Sequence, residues 1–278
     1  MTTVGRRARG VVLAVVVVAA YVAVILTYAL GSPTGAPDLR EPAPGKALVY
    51  LDVDTVSGEK FSLDARVSVY PGEGLTDDDG NLVDDLIVDV TPTASAGTLT
   101  FPSGTRVGPL PVSLYADGDI RHWPFDTYDA SSIQVRVFSN EATGRVAVPS
   151  EIVVTDSLTS WSVEAVDIDA SSAQAFDIRV SRTVGTTIFD IAICVVLVVL
   201  PMCTLFVSIQ TLRRRKQFLP PIMTWFAVTL FAVLPIRNLF PGAPPIGSWV
   251  DYTVVLWVVA GLATAMVLYV VAWWRQGP

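Results

Sequence analysis

From Lys46 onward, apolar and polar residues alternate with a period of two: Ala47, Val49, Leu51 and Val53, then Phe61, Leu63, Ala65, Val67 and Val69. That period is the signature of a strand with one buried face. Residues 86–90, 112–116, 133–138, 152–155, 161–168 and 176–180 are further candidate strands. Turn clusters such as Asp77-Asp78-Asp79-Gly80-Asn81 and Ala116-Asp117-Gly118-Asp119 separate them. Seven to nine short antiparallel strands with no helical pattern between them predict an all-β, Ig-like sandwich over residues 46–186.

A second pattern flanks the first. Four apolar runs, 11–30, 188–209, 218–239 and 252–274, the first uninterrupted, each reach the roughly 20 residues that a membrane-spanning helix needs. They predict a membrane protein with one amino-terminal and three carboxy-terminal transmembrane helices. Residues 1–30 form a signal anchor, 31–45 a linker rich in proline and glycine, 46–186 the β-domain and 187–278 a three-helix membrane domain. A cleaved signal peptide would carry a shorter apolar region of about 7–15 residues, although the small Gly31 and Ser32 that follow leave cleavage open.

Charge orients these runs. Arg6, Arg7 and Arg9 precede the first, Arg213, Arg214, Arg215 and Lys216 follow the second, and Arg275 follows the fourth. Positive charge is retained on the cytoplasmic side, so both termini are expected inside the plasma membrane and the β-domain outside. Trp249 at the outer end of the fourth run, and Trp273 and Trp274 at its inner end, fit interfacial anchors. The strand at 176–180 leads almost directly into the second run, so the β-domain is expected to sit close on the membrane.

Composition narrows the function. Of 278 residues, 51% are hydrophobic and 16% charged, too apolar a balance for an ordinary soluble enzyme. Residues 31–186 hold 24 acids against 10 bases, and the rest of the chain 2 acids against 9 bases. An acidic domain lacks the clustered cations that nucleic acid requires. Both cysteines, Cys194 and Cys203, lie in one apolar run, so no disulfide framework or cysteine zinc site can form in the β-domain. No cofactor is expected.

Asp190, Arg237 and Asp251 lie at one membrane depth on that topology, each near the outer end of its run. Ionisable groups in a span pair with one another or line a polar cavity, so the three are expected to form a structural ion-pair cluster. The loop from Pro241 to Gly247, stiffened by Pro241, Pro244 and Pro245, is expected with Trp123, Pro124, Phe125 and Asp126 to couple the β-domain to the helices. Pro201 and Pro235 should kink their helices. Gly261 and Ala265 form a small-xxx-small pair suited to close packing.

The aromatic-Pro-Phe-Asp turn at Trp123–Asp126 resembles the membrane-facing turn of pentameric ligand-gated channels. The likeness is about four residues and a general layout, without the flanking cysteines, the fourth span or a polar pore stripe. More of the chain resembles a family of actinobacterial membrane proteins carrying a domain of unknown function. The matching residues are Trp123 to Tyr128, Pro235-Ile236-Arg237-Asn238 and the stretch from Pro241 to Asp251. That resemblance implies a cell-envelope protein and transfers no catalytic residue.

Other chemistry is thin. The acidic turn at Asp77–Asp85 offers carboxylates for Ca²⁺, but Leu75 breaks the EF-hand spacing and a solvated hairpin tip is the favoured reading. His122, the only histidine, has Asp119, Asp126 and Asp129 near it in sequence, yet no hydrolase, P-loop or dinucleotide motif accompanies it. The expectation is a non-enzymatic accessory or scaffold subunit of a larger membrane complex, one that handles lipid or cell-wall material, with the bilayer and another membrane protein as partners. A ligand sensor or channel-like homo-oligomer is the alternative.

Overall fold

The computed structural model describes residues 21–22, 25–26, 42–95, 97–141, 144–166, 175–242 and 244–276. The first apolar run therefore lies outside the described residues, apart from Tyr21, Val22, Ile25 and Leu26, which are helical. Most of the linker lies outside them too.

Among the described residues eleven strands form two sheets: β1 (Ala47–Ser57), β2 (Ser62–Pro71), β3 (Asp85–Thr91), β4 (Thr98–Phe101), β5 (Leu110–Tyr115), β6 (Asp117–Gly118), β7 (Thr127–Glu141), β8 (Gly144–Val148), β9 (Ser150–Asp156), β10 (Trp161–Val166) and β11 (Phe176–Arg182). One sheet has the order β5-β2-β1-β9; the other runs β10-β11-β7-β3-β4, with β6 and β8 also paired to β7. Each of the eight candidate stretches falls on a strand, residues 167–168 lying outside the described ones and Phe61 preceding β2. Among the described residues the expected count of seven to nine is corrected to eleven, since β4 alternates over only four residues, β6 is two residues long and β8 is mostly exposed. The expectation of purely antiparallel strands is corrected as well: β1 and β9 run parallel, Ala47 beside Ser150 through Val53 beside Asp156.

The alternating faces make the core of this sandwich-like domain. Val49, Leu51 and Val53 of β1, with Leu63, Ala65 and Val67 of β2, are buried. Along β7 the buried positions switch from even to odd, Tyr128 and Ala130 giving way to Ile133, Val135 and Val137. A bulge explains the switch. Ser132 takes φ +59° and its N–H donates to Asp177 Oδ1 at 2.8 Å, where the pairing with β11 slips. One extra residue reverses which side chains face the core.

Three helices follow: α1 (Val184–Leu212), α2 (Pro221–Arg237) and α3 (Leu256–Arg275), the last preceded by a π-helical turn at Asp251–Val255. Buried positions on α1 are Asp190, Ile193, Leu197, Pro201, Thr204, Ser208 and Thr211. On α3 they are Val258, Leu262, Ala265, Tyr269 and Ala272. Both sets recur at steps of three and four, the seam of helices packed along their length. At its centre a Cβ on Gly261 would stand 2.9 Å from Pro201 Cβ, and Ser208 Oγ donates to the Ala265 carbonyl at 2.7 Å.

Of the four expected spans, the first lies outside the described residues and two of the other three reach full spanning length. Among the described residues two helices, Val184–Leu212 and Asp251–Arg275, are long and apolar enough to cross a membrane, while Pro221–Arg237 is shorter at 17 residues. The reason is local. Phe218 and Leu219 are held in the preceding loop, and Pro220 and Pro221 start the helix late, Pro221 being suited to a first turn.

Candidate functional site

Among the described residues, the chain divides into two compact units. One is the sandwich; the other comprises the helices together with the short segment Ile120–Phe125. The Trp-Pro-Phe-Asp turn is thus shared. Trp123, Pro124 and Phe125 belong with the helices, and Asp126 with the sandwich.

In the helical unit, a 3₁₀ turn at Ile120–His122 delivers Trp123 into the core. Trp123 is fully buried in a cluster with Ile193, Leu197, Val233, Phe240, Val250 and Val258. Its ring lies 4.5 Å from that of Phe240, and its indole N–H donates to the Pro241 carbonyl at 3.3 Å. The Trp249 indole N–H donates in turn to the Trp123 carbonyl. The Trp123–Pro124 peptide is cis, Pro124 is buried and Phe125 is exposed. Trp249, read from sequence as a lipid-interface anchor, is thus also a partner of this turn.

Beside this cluster stands a built ion pair. Arg237 is the last residue of α2, and its Nε and Nη2 donate to the two oxygens of Asp251 at 3.2 and 3.0 Å. Nη2 also donates to the Pro244 carbonyl at 2.8 Å, and Gly247 N–H to Asp251 Oδ2 at 2.8 Å. One guanidinium therefore fixes both the start of the third apolar helix and the proline loop, in which Pro244 is buried and Pro241 and Pro245 half-buried. Asp190 is completely buried on α1. Thus Arg237 and Asp251 meet as expected from their depth, and Asp190 sits on the buried face of its helix.

In the sandwich unit, Asp126 is buried in a group that sequence reasoning missed. The guanidinium of Arg182, the last residue of β11, forms a fork on Asp126, with Nε on Oδ1 and Nη2 on Oδ2 at 3.1 Å. The two side chains are 3% and 0% exposed. Arg182 also lies 4.4 Å over the Trp161 ring, and Tyr128 donates its hydroxyl to Asp126 Oδ2 at 3.1 Å. Burial, then the Asp126 charge, pushes the Tyr128 hydroxyl well above the usual tyrosine range. The only available signal was position, Arg182 being the cation at the end of the last strand.

The remaining candidates are occupied locally. His122 is in the 3₁₀ turn and exposed, Asp126 faces Arg182, and Asp129 pairs with Arg179 at 2.7 Å. In the acidic turn, Asp77 Oδ1 accepts the N–H groups of Asp79 and Asn81 at 3.0 and 2.8 Å. These backbone bonds, that of Asn81 foremost, hold the Asp77 carboxyl below its ordinary value. Among the described residues no group of three or more His, Cys, Asp or Glu could hold a metal ion.

The described residues therefore define a class: a two-sheet β-domain continued by apolar helices. The chain belongs to the family defined by a domain of unknown function, DUF4436, which matches residues 37–181 and so more than half of the sequence. Residues 182–276 match a second domain of unknown function, DUF8686, and the border between the two falls where β11 gives way to α1. No curated protein matches the chain.

Proposed function

We propose that this protein is a non-enzymatic, multi-pass membrane protein of the cell envelope, an accessory or scaffold subunit that presents its β-domain outside the membrane to a larger membrane partner. The observation that carries the reading is the outer surface of the long helices. Phe189, Val195, Val196, Met202 and Phe206 on α1, and Trp257, Val267 and Trp274 on α3, are large and exposed. Of the most apolar stretch of each long helix only 28% and 22% is buried. A core helix of a water-soluble domain buries most of its apolar surface; an apolar patch this extensive is covered by lipid or by another membrane helix.

On this reading α1 leaves the outer face and ends inside at Arg213–Lys216, α2 returns as a short span, and α3 ends inside at Arg275. Trp123 and the proline loop lie at the outer end of the helices. The scaffold role is supported by how charge is used: Arg182–Asp126 and Arg237–Asp251 are structural pairs, each built into an element end.

The test is a mild-detergent pull-down of the tagged full chain from its native membrane, with mass spectrometry and native mass determination. A stoichiometric larger partner is the expected result. A bare symmetric oligomer would overturn the scaffold reading in favour of a sensor or channel, to be followed by bilayer conductance.

A further inference from the structure

At the end of the helical unit away from Arg237, α1 and α2 frame a groove of about 780 Å³, within the range of sites that hold small molecules. Its walls change character along its length. Phe206 and Val207 of α1, Leu219 of the loop before α2 and Ile222 of its first turn are apolar, whereas Arg215 and Lys216 are cationic. Gln210 also lines it, and its Oε1 is buried without a hydrogen bond among the described residues.

The framework is rigid. α1 ends in a Schellman motif, with Arg215 N–H on the Gln210 carbonyl and Arg214 N–H on the Thr211 carbonyl, both at 3.0 Å. Its left-handed position, φ +55°, is filled by Arg214 where glycine would cost least. Arg214 donates to the Arg275 carbonyl at 2.9 Å. Leu219 exchanges two 3.0 Å hydrogen bonds with the Tyr269 hydroxyl, and Gln276 ties Phe218 to Thr211. The only acids from residue 184 onward are Asp190 and Asp251, neither of which lines the groove.

An apolar trough opening onto unneutralised cations matches one ligand chemistry, an acyl chain joined to an anionic head group. We propose that this groove is a specific site for an anionic phospholipid, its phosphate held by Arg215 and Lys216 and one acyl chain along Phe206 and Ile222. A head-group hydroxyl donates to the buried acceptor of Gln210. The proposal rests on the membrane reading above and goes beyond it, since basic residues flanking a span need no groove.

The experiment is native mass spectrometry of the full chain, purified in mild detergent and titrated with phosphatidylglycerol or phosphatidylcholine. Each basic side chain favours anionic lipid by roughly fivefold, so retention of phosphatidylglycerol should exceed that of phosphatidylcholine by about 25-fold. The Arg215→Gln, Lys216→Gln double variant should erase the preference. Ile222→Trp, which fills the trough and leaves every charge in place, should also lose the retained lipid, whereas Arg213→Gln, outside the groove, should keep it. Equal retention of both lipids, or equal loss from Arg213→Gln, overturns the site while leaving the membrane reading intact. Release of the wild-type chain from membranes by alkaline carbonate would overturn the membrane reading itself.

Discussion

Arg182 and Asp126 stand 56 positions apart in sequence and share one buried fork. Their desolvation is offset only while both are present, so Arg182→Ala leaves a carboxylate inside the protein with only the Tyr128 hydroxyl to solvate it. The expected loss is about 3–5 kcal/mol, read as a lowered unfolding temperature of the detergent-solubilised chain by near-ultraviolet circular dichroism. Arg182→Lys should recover little, because an ammonium supplies neither the planar fork nor the stack on Trp161. Tyr128 adds a pH signature. Its hydroxyl is harder to ionise folded than unfolded, so its contribution is complete below the ordinary tyrosine value near 10 and is lost as pH climbs above it. The unfolding temperature should therefore fall above about pH 10, and Tyr128→Phe should make that fall shallower. An identical alkaline slope in the variant would show that Tyr128 contributes nothing to it.

Elements reveal what periodicity can and cannot convey. β1 and β2 were legible because each keeps one face in the core over many residues; β8 was not, since four of its five residues are exposed. β6 is only two residues long, and the parallel β1–β9 pair depends on tertiary context that no local pattern encodes. The Arg237–Asp251 pair was legible because a charge in an apolar run has few ways to be satisfied; the Arg182–Asp126 pair was not, both residues lying in a polar stretch where a charge signals nothing. Two predictions belong here. Arg237→Ala should strip Asp251 and the Pro244 carbonyl of their shared donor and destabilise the helical unit by about 3 kcal/mol, whereas unchanged thermal stability in detergent would remove the pair from the account. Gly261→Leu should be worse than Gly261→Ala, because even a single Cβ meets the stiff Pro201 ring at 2.9 Å and a longer side chain must force α1 and α3 apart. A disulfide between cysteines placed at Ser208 and Ala265 would report that separation, forming readily in the parent and poorly in Gly261→Leu.

Over the whole molecule, charge and length together make a topology that can be tested at one helix. On the proposed topology α2, at 17 residues, would cover about 25 Å of a hydrocarbon core about 30 Å thick. A mismatch of that size is met by local thinning of the bilayer or by flanking residues, at a modest cost. The alternative for so short a helix is re-entry, which would leave Ile246 on the same side as Gln217. Ile246 is 94% exposed in the loop before α3, Gln217 is exposed before α2 and Asn81 lies in the acidic turn of the sandwich. Single cysteines at these positions, in a background with Cys194 and Cys203 replaced by alanine, should give a definite pattern with a membrane-impermeant maleimide on intact cells. Asn81→Cys and Ile246→Cys should label without permeabilisation, and Gln217→Cys only after it. Labelling of Ile246→Cys only after permeabilisation would make α2 a re-entrant helix. It would also put Arg237 and Asp251 on the cytoplasmic side, because the proline loop that carries Ile246 is held by that same ion pair.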